Sequence, residues 1–163
     1  MSTLIVPDWP AAGNVVAATT TRATPNDELP PGIAFPNQVH GAEVVAVDTL
    51  RAADAAPAAD AVTGRRAGDV CAIRTADCLP VLFCARDGGE IAAAHAGWRG
   101  LAAGVLETTV AALETRPNQL LAWIGPAISQ PHFEVGEEVR EAFVSGDPAA
   151  RSAFAPNARG RWQ

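Results

Sequence analysis

The stretch Thr75–Gly100, TADCLPVLFCARDGGEIAAAHAGWRG, carries two apolar runs on either side of a Gly88-Gly89 turn. Leu79–Cys84 and Ile91–Ala94 have the length and composition of short strands, and the turn between them predicts a hairpin. Neither run alternates polar with apolar, the pattern of strands covered on both faces. Cys78 stands before the first run and His95 after the second, so a hairpin brings both side chains to one rim of a sheet. His40, in the glycine-flanked segment NQVHG, lies upstream.

Working outward, Val15–Thr21 (VVAATTT) is β-prone and ends at Arg22, before the proline-rich connector ATPNDELPPG. Glu43–Asp48 (EVVAVD) reads as a strand, and Leu50–Asp60 as a surface loop or short helix to which no chemistry is assigned. Asp60–Thr63 and Val70–Thr75 are further short strand candidates. Downstream, Leu101, Val105, Leu106, Thr109 and Leu113 follow helical spacing and stop before Arg116-Pro117. Leu120–Ile124 is a buried strand, and Val135, Val139 and Phe143 mark a second helix with Glu137, Glu138 and Glu141 outward. After Gly146 the pattern thins without a completed element, so the chain reads as cut short. The expected fold is α+β, a mixed β-sheet layered with α-helices and incomplete at its C-terminus, in a single domain over residues 1–163.

Composition narrows the function. With 163 residues, 48% of them hydrophobic, the chain buries a core without disulfide staples. A net charge of −6 argues against broad nucleic-acid binding, which needs a basic face to displace counterions. Apolar runs fall short of a membrane span, and MSTLIVPDWP lacks the basic start and long apolar run of a signal peptide, so no membrane association and a cytoplasmic location are expected. Three cysteines fit reduced thiols. All twelve basic residues are Arg, and Lys and Tyr are absent, which excludes lysine Schiff-base and tyrosine acid–base chemistry.

His40, Cys78 and His95 make a His2Cys donor set. Zinc accepts imidazole nitrogen at about 2.0–2.1 Å and thiolate sulfur at about 2.3 Å, with a catalytic site keeping a fourth position open. The same atoms fit a second chemistry, a metal-free hydrolase with Cys78 as thiolate, a histidine as base and Asp77 or another acid as orienter. Asp77 equally fits a hydrogen bond to a metal-bound imidazole or a turn cap. Cys71 and Cys84, inside strand-like runs, read as packing, His132 as a loop residue, Trp98 as core and Glu134 as a helix-start acid. Gln38 can contact substrate or satisfy backbone.

Four segments in order, NQVHGAEVV, TADCLPVLF, AAAHAGWRG and WIGPAIS followed by FEVGEEV, resemble the bacterial laccase-domain family. That family, once called multicopper polyphenol oxidases, is also known as the YfiH type of purine nucleoside phosphorylase. The resemblance implies Zn2+ held by His40, Cys78 and His95; Cys78, His95 and, from its place beside the cysteine, Asp77 are the catalytic candidates. It also implies phosphorolysis of adenosine, inosine, guanosine or methylthioadenosine to base and sugar 1-phosphate, with adenosine deamination at the same site. The partners implied are a purine nucleoside and phosphate. Guanidinium forks suit phosphate oxygens, which makes Arg22 and Arg99 substrate-binding candidates together with Gln38. Relative to the family pattern, the chain is shortened between Arg22 and Asn37 and after Gln163. A non-catalytic zinc-binding remnant or partner-binding protein is the alternative expectation.

Overall fold

The Gly88-Gly89 hairpin forms the middle of a five-stranded sheet in the computed structural model, which describes residues 3–163. Met1 and Ser2, part of the N-terminal stretch considered above, lie outside the described residues. Strands β1 (Leu4–Ile5) and β2 (Thr19–Thr20) pair antiparallel by themselves. Strand β3 (Val44–Ala46) runs directly into helix α1 (Val47–Ala52) and is followed by β4 (Ala61–Gly64), β5 (Leu79–Ala85) and β6 (Ile91–Ala96). Helices α2 (Trp98–Ala102) and α3 (Val105–Ala111) precede β7 (Leu120–Ile124), and α4 spans Glu137–Val144. The strand order is β3-β4-β6-β5-β7; β3 and β4 are parallel and the remaining pairs antiparallel. This is the mixed α+β sheet expected from the sequence.

Register decides which side chains share a face, because successive residues of a strand alternate sides. Val81 lies opposite Ala94 and Phe83 opposite Ala92, and these four pack with Val105 and Leu113 in the main core cluster. Pro80, Leu82, Ala93 and His95 therefore share the opposite face. β6 is buried almost throughout, as its lack of alternation predicts, and so is the neighbouring β4. The alanines of β6 leave room for cover on both sides. A second cluster, Val45, Val47, Leu50, Ala59 and Val62, seats α1 on the sheet.

Several elements differ from the sequence expectation. The strand over Glu43–Asp48 ends at Ala46 because Val47 begins α1, with Asp48 in its first turn where an acid favours the helix dipole. Val70–Thr75 forms no strand, and of Val15–Thr21 only Thr19–Thr20 pairs. The helix read across Leu101–Leu113 is two helices, since Gly104 sits at φ 86°, left-handed backbone through which an α-helix cannot continue. His95 lies inside β6 rather than after it.

By its contacts the chain divides into two compact units, one ending at Pro126 and one over Ala127–Gln163. In the second, α4 buries Val139. The tail after Gly146, expected to hold no completed element, forms a 3-10 turn over Pro148–Ala153 and returns to Val135, whose N–H and C=O bond the Trp162 backbone at 2.9 and 3.0 Å. No helix of the described residues is long and apolar enough to cross a membrane.

Candidate metal centre

Pro80 pairs with His95 across the hairpin, and Cys78 precedes Pro80 by two residues. His40 arrives from the loop before β3. The ligand atoms of His40, Cys78 and His95 lie within 4.8 Å of one another, and among the described residues this is the group of His, Cys and acidic side chains that converges closely enough to hold a metal ion. The two imidazoles meet edge to face, centroids 4.8 Å apart at 76°. Gly97 makes room for them: a Cβ there would lie 3.0 Å from both Cys78 Sγ and His40 Cδ2.

One carboxylate, Asp60, reaches both histidines. Its side chain is fully buried at the head of β4. Oδ1 lies 2.7 Å from His95 Nδ1 and accepts the His40 N–H at 3.0 Å; Oδ2 accepts the N–H groups of Val39 and Gly41 at 3.1 and 2.7 Å. The Asp60 carbonyl also accepts the His95 N–H at 2.7 Å. His40 itself adopts φ 60°, the only non-glycine residue with positive φ among the described residues. Burial pushes the Asp60 carboxyl up, but the bonds from His95 and the three amides outweigh it and hold it below the usual carboxylate range.

The donor chemistry fits a divalent cation. With Nδ1 of His95 bonded to Asp60, its Nε2 is the nitrogen left to bind an ion. Burial, then the charges of Asp77 and Asp60, push the Cys78 thiol up, so the protein alone does not favour the thiolate that a metal-free nucleophile requires. A cation opposes those same charges. Two imidazole nitrogens and a thiol sulfur, all within 4.8 Å of one another, are donors of the kind that borderline and soft metal ions take.

The remaining candidates stand outside this group of three. Asp77 is exposed beside Cys78. Arg22 is exposed just past β2, and Arg99 is exposed on α2 with its guanidinium 4.5 Å from the Trp98 ring centroid. Gln38 spends both amide atoms on the Arg74 backbone: Nε2 donates to its C=O at 2.8 Å and Oε1 accepts its N–H at 2.7 Å. The Arg74 guanidinium in turn lies 3.9 Å over Phe35. Cys84 is fully buried, and burial followed by the Asp69 charge pushes the Cys71 thiol up to about 12, in keeping with packing roles. His132 is exposed. Glu134 bonds Asn157 at 2.8 Å and Arg159 at 3.3 Å within the second unit.

Sequence reasoning missed Asp60 and assigned its surroundings no chemistry. The available signal was a lone acid at the head of an otherwise apolar strand, AADAVT, where burial of a charge requires compensating donors. On the sheet face shared by Pro80, Leu82 and Ala93, a cavity of about 600 Å³ is also lined by Trp9, Phe35 and Ile73.

Residues 11–163 match the family described as multi-copper polyphenol oxidoreductase laccase. The chain is 44% identical over 187 residues to a purine nucleoside phosphorylase of Pseudomonas aeruginosa, covering 97% of this chain and 76% of that protein. It is 44% identical over 185 residues to the purine nucleoside phosphorylase YfiH of Escherichia coli, covering 94% and 75%. A crystal structure of a Neisseria meningitidis protein superposes with a TM-score of 0.88 at 38% identity, over 99% of this chain and 78% of that one. Bacillus licheniformis YfiH, 29% identical, superposes with a TM-score of 0.71 over 79% and 53%.

Proposed function

The chain belongs to the multi-copper polyphenol oxidoreductase laccase family, and from that membership we propose that it is a zinc-dependent purine nucleoside phosphorylase. The observation that carries this reading is the convergence of His40, Cys78 and His95 in a chain so similar to proteins bearing the phosphorylase name. The laccase description fits the donors less well. Reduction of oxygen by a multi-copper enzyme needs several copper sites, and the described residues bring one His2Cys set together.

The substrates are a purine nucleoside, such as adenosine, inosine, guanosine or methylthioadenosine, and inorganic phosphate. A phosphate oxygen bonds to C1′ of the sugar as the C1′–N9 bond breaks, and the bonding pair leaves on the purine. His40, Cys78 and His95 hold the zinc, which when bound supplies a Lewis acid for a substrate oxygen or nitrogen. Arg99 and Arg22, both exposed, meet the phosphate with planar guanidinium donors. Asp77, beside Cys78, accepts a hydrogen bond from the base. The apolar cavity on the same sheet face offers the volume and the aromatic walls that a purine ring requires. Adenosine deamination is proposed as a second activity of the same centre.

The test is turnover with metal content measured alongside it. Purified protein is expected to carry about one zinc per chain and to release purine from inosine only when phosphate is present. Cys78→Ala is expected to lose both the metal and the activity, and ammonia release from adenosine reads the second activity. Folded, zinc-loaded protein that releases no purine from any of the four nucleosides overturns the reading.

A further inference from the structure

We propose that Asp60 is the positioning residue of the metal centre, a single carboxylate that selects the Nδ1–H tautomer of His95 and holds the left-handed backbone of His40. The inference deepens the metal-site reading above and rests on it. Its four hydrogen bonds divide evenly, two to each oxygen: Oδ1 takes His95 Nδ1 and the His40 N–H, and Oδ2 takes the N–H groups of Val39 and Gly41. Two lone pairs on each oxygen are thereby used, and the fully buried charge has no unmet acceptor.

A carboxylate accepts only. His95 Nδ1 must therefore carry the proton shared with Asp60, which leaves the lone pair on Nε2, the nitrogen available to an ion. An imidazole free in water is not confined to that tautomer. The same anion draws three successive amides of the His40 loop inward and stabilises a φ of 60° that histidine seldom adopts. Two ligands from distant parts of the chain are thus oriented before any metal arrives. Asparagine cannot substitute: it has one acceptor oxygen, and its NH2 would face backbone N–H groups.

Two experiments test the assignment without using turnover. In metal-free wild-type protein, long-range 1H–15N correlation spectra of the imidazoles should show His95 protonated at Nδ1 and bare at Nε2; protonation at Nε2 alone overturns the proposal. In Asp60→Asn, zinc affinity measured by chelator competition should fall about 10- to 100-fold, and the His95 signal should move away from the pure Nδ1–H form. Wild-type affinity and tautomer in a folded Asp60→Asn protein likewise overturn it. If that variant does not fold, the wild-type spectrum decides. Zinc-loaded protein without phosphorylase activity would remove the function proposed above and leave the role of Asp60 intact, whereas unchanged zinc affinity in Asp60→Asn would do the reverse.

Discussion

Pro80 and His95 face each other across the β5–β6 ladder, and that pairing sets Cys78 on the strand approach nearest the imidazole. The Pro80 carbonyl accepts the Gly125 N–H at 2.8 Å on the β7 side, so Pro80 and His95 form a non-hydrogen-bonded pair and the missing proline N–H leaves their ladder intact. The His95 N–H points the opposite way, to the Asp60 carbonyl at 2.7 Å. The end of β6 is consequently anchored to β4 at the point where the ligands gather.

Gly97 sets how closely Cys78 and His40 approach. Its φ of −68° suits any residue, so Gly97→Ala adds a methyl group and no backbone strain. That methyl would lie 3.0 Å from the sulfur and from the His40 ring. The cost of such crowding, about 1–3 kcal/mol, should fall on the ligand geometry. Zinc affinity is expected to drop about tenfold or more, while the melting temperature of the metal-free protein changes by only a few degrees. Chelator competition beside a thermal melt checks both.

Glu90 confers acid sensitivity away from the metal. Buried at 7% exposure, it accepts the N–H groups of Glu114 and Thr115 at 3.1 and 2.7 Å and pairs with Arg65 at 2.7 Å. Burial raises its pKa, but bonds from Thr115 and Glu114 together with the Arg65 charge outweigh this, and the net shift is downward. A depressed folded pKa means that the unfolded chain takes up more protons between the two values. The stabilisation is therefore complete above the unfolded value of about 4.3 and is lost as pH falls through the folded one. Glu90→Gln should cost roughly 1–3 kcal/mol at pH 7 and show a shallower loss of stability as pH falls below the unfolded value. Urea midpoints across this range measure it.

Gln38 ties the His40 loop to the segment leading into Cys78. Gln38→Ala removes both bonds to Arg74 and is expected to destabilise by about 1–2 kcal/mol. Gln38→Glu keeps an acceptor for the Arg74 N–H but sets a carboxylate oxygen against the Arg74 carbonyl, acceptor to acceptor, so its cost is expected to match or exceed that of Gln38→Ala. Thermal melts of the two variants and the wild type give the order. A nucleoside KM that rises in Gln38→Glu by more than its stability loss explains would reveal substrate contact as well.

Much of this architecture was legible in the sequence because the hairpin is local. The Gly88-Gly89 turn and its flanking apolar runs contain their own register, and Cys78 and His95 follow from it. Helix breaks were less legible: Gly104 is a single residue in an otherwise regular pattern, and its left-handed backbone becomes evident only once α2 and α3 are packed. Asp60 was hidden for a different reason. Its four donors come from Val39, His40, Gly41 and His95, and no local pattern announces partners so remote. The Val135–Trp162 bridge escaped for the same reason, being a pairing between distant positions without strand-like runs around them.

The ligands stand at positions 40, 78 and 95, in a loop, ahead of one strand and inside another, with Asp60 joining two of them. Contacts that distant in sequence form late, since the loop-closure entropy between them must be met before they are rewarded. The centre therefore differs from a zinc knuckle, whose closely spaced ligands let the ion act as a folding template. Here the hairpin supplies Cys78 and His95 early, and the full set of three donors waits for the His40 loop to close on Asp60. Tight metal uptake in a refolding experiment would report the closing of that loop.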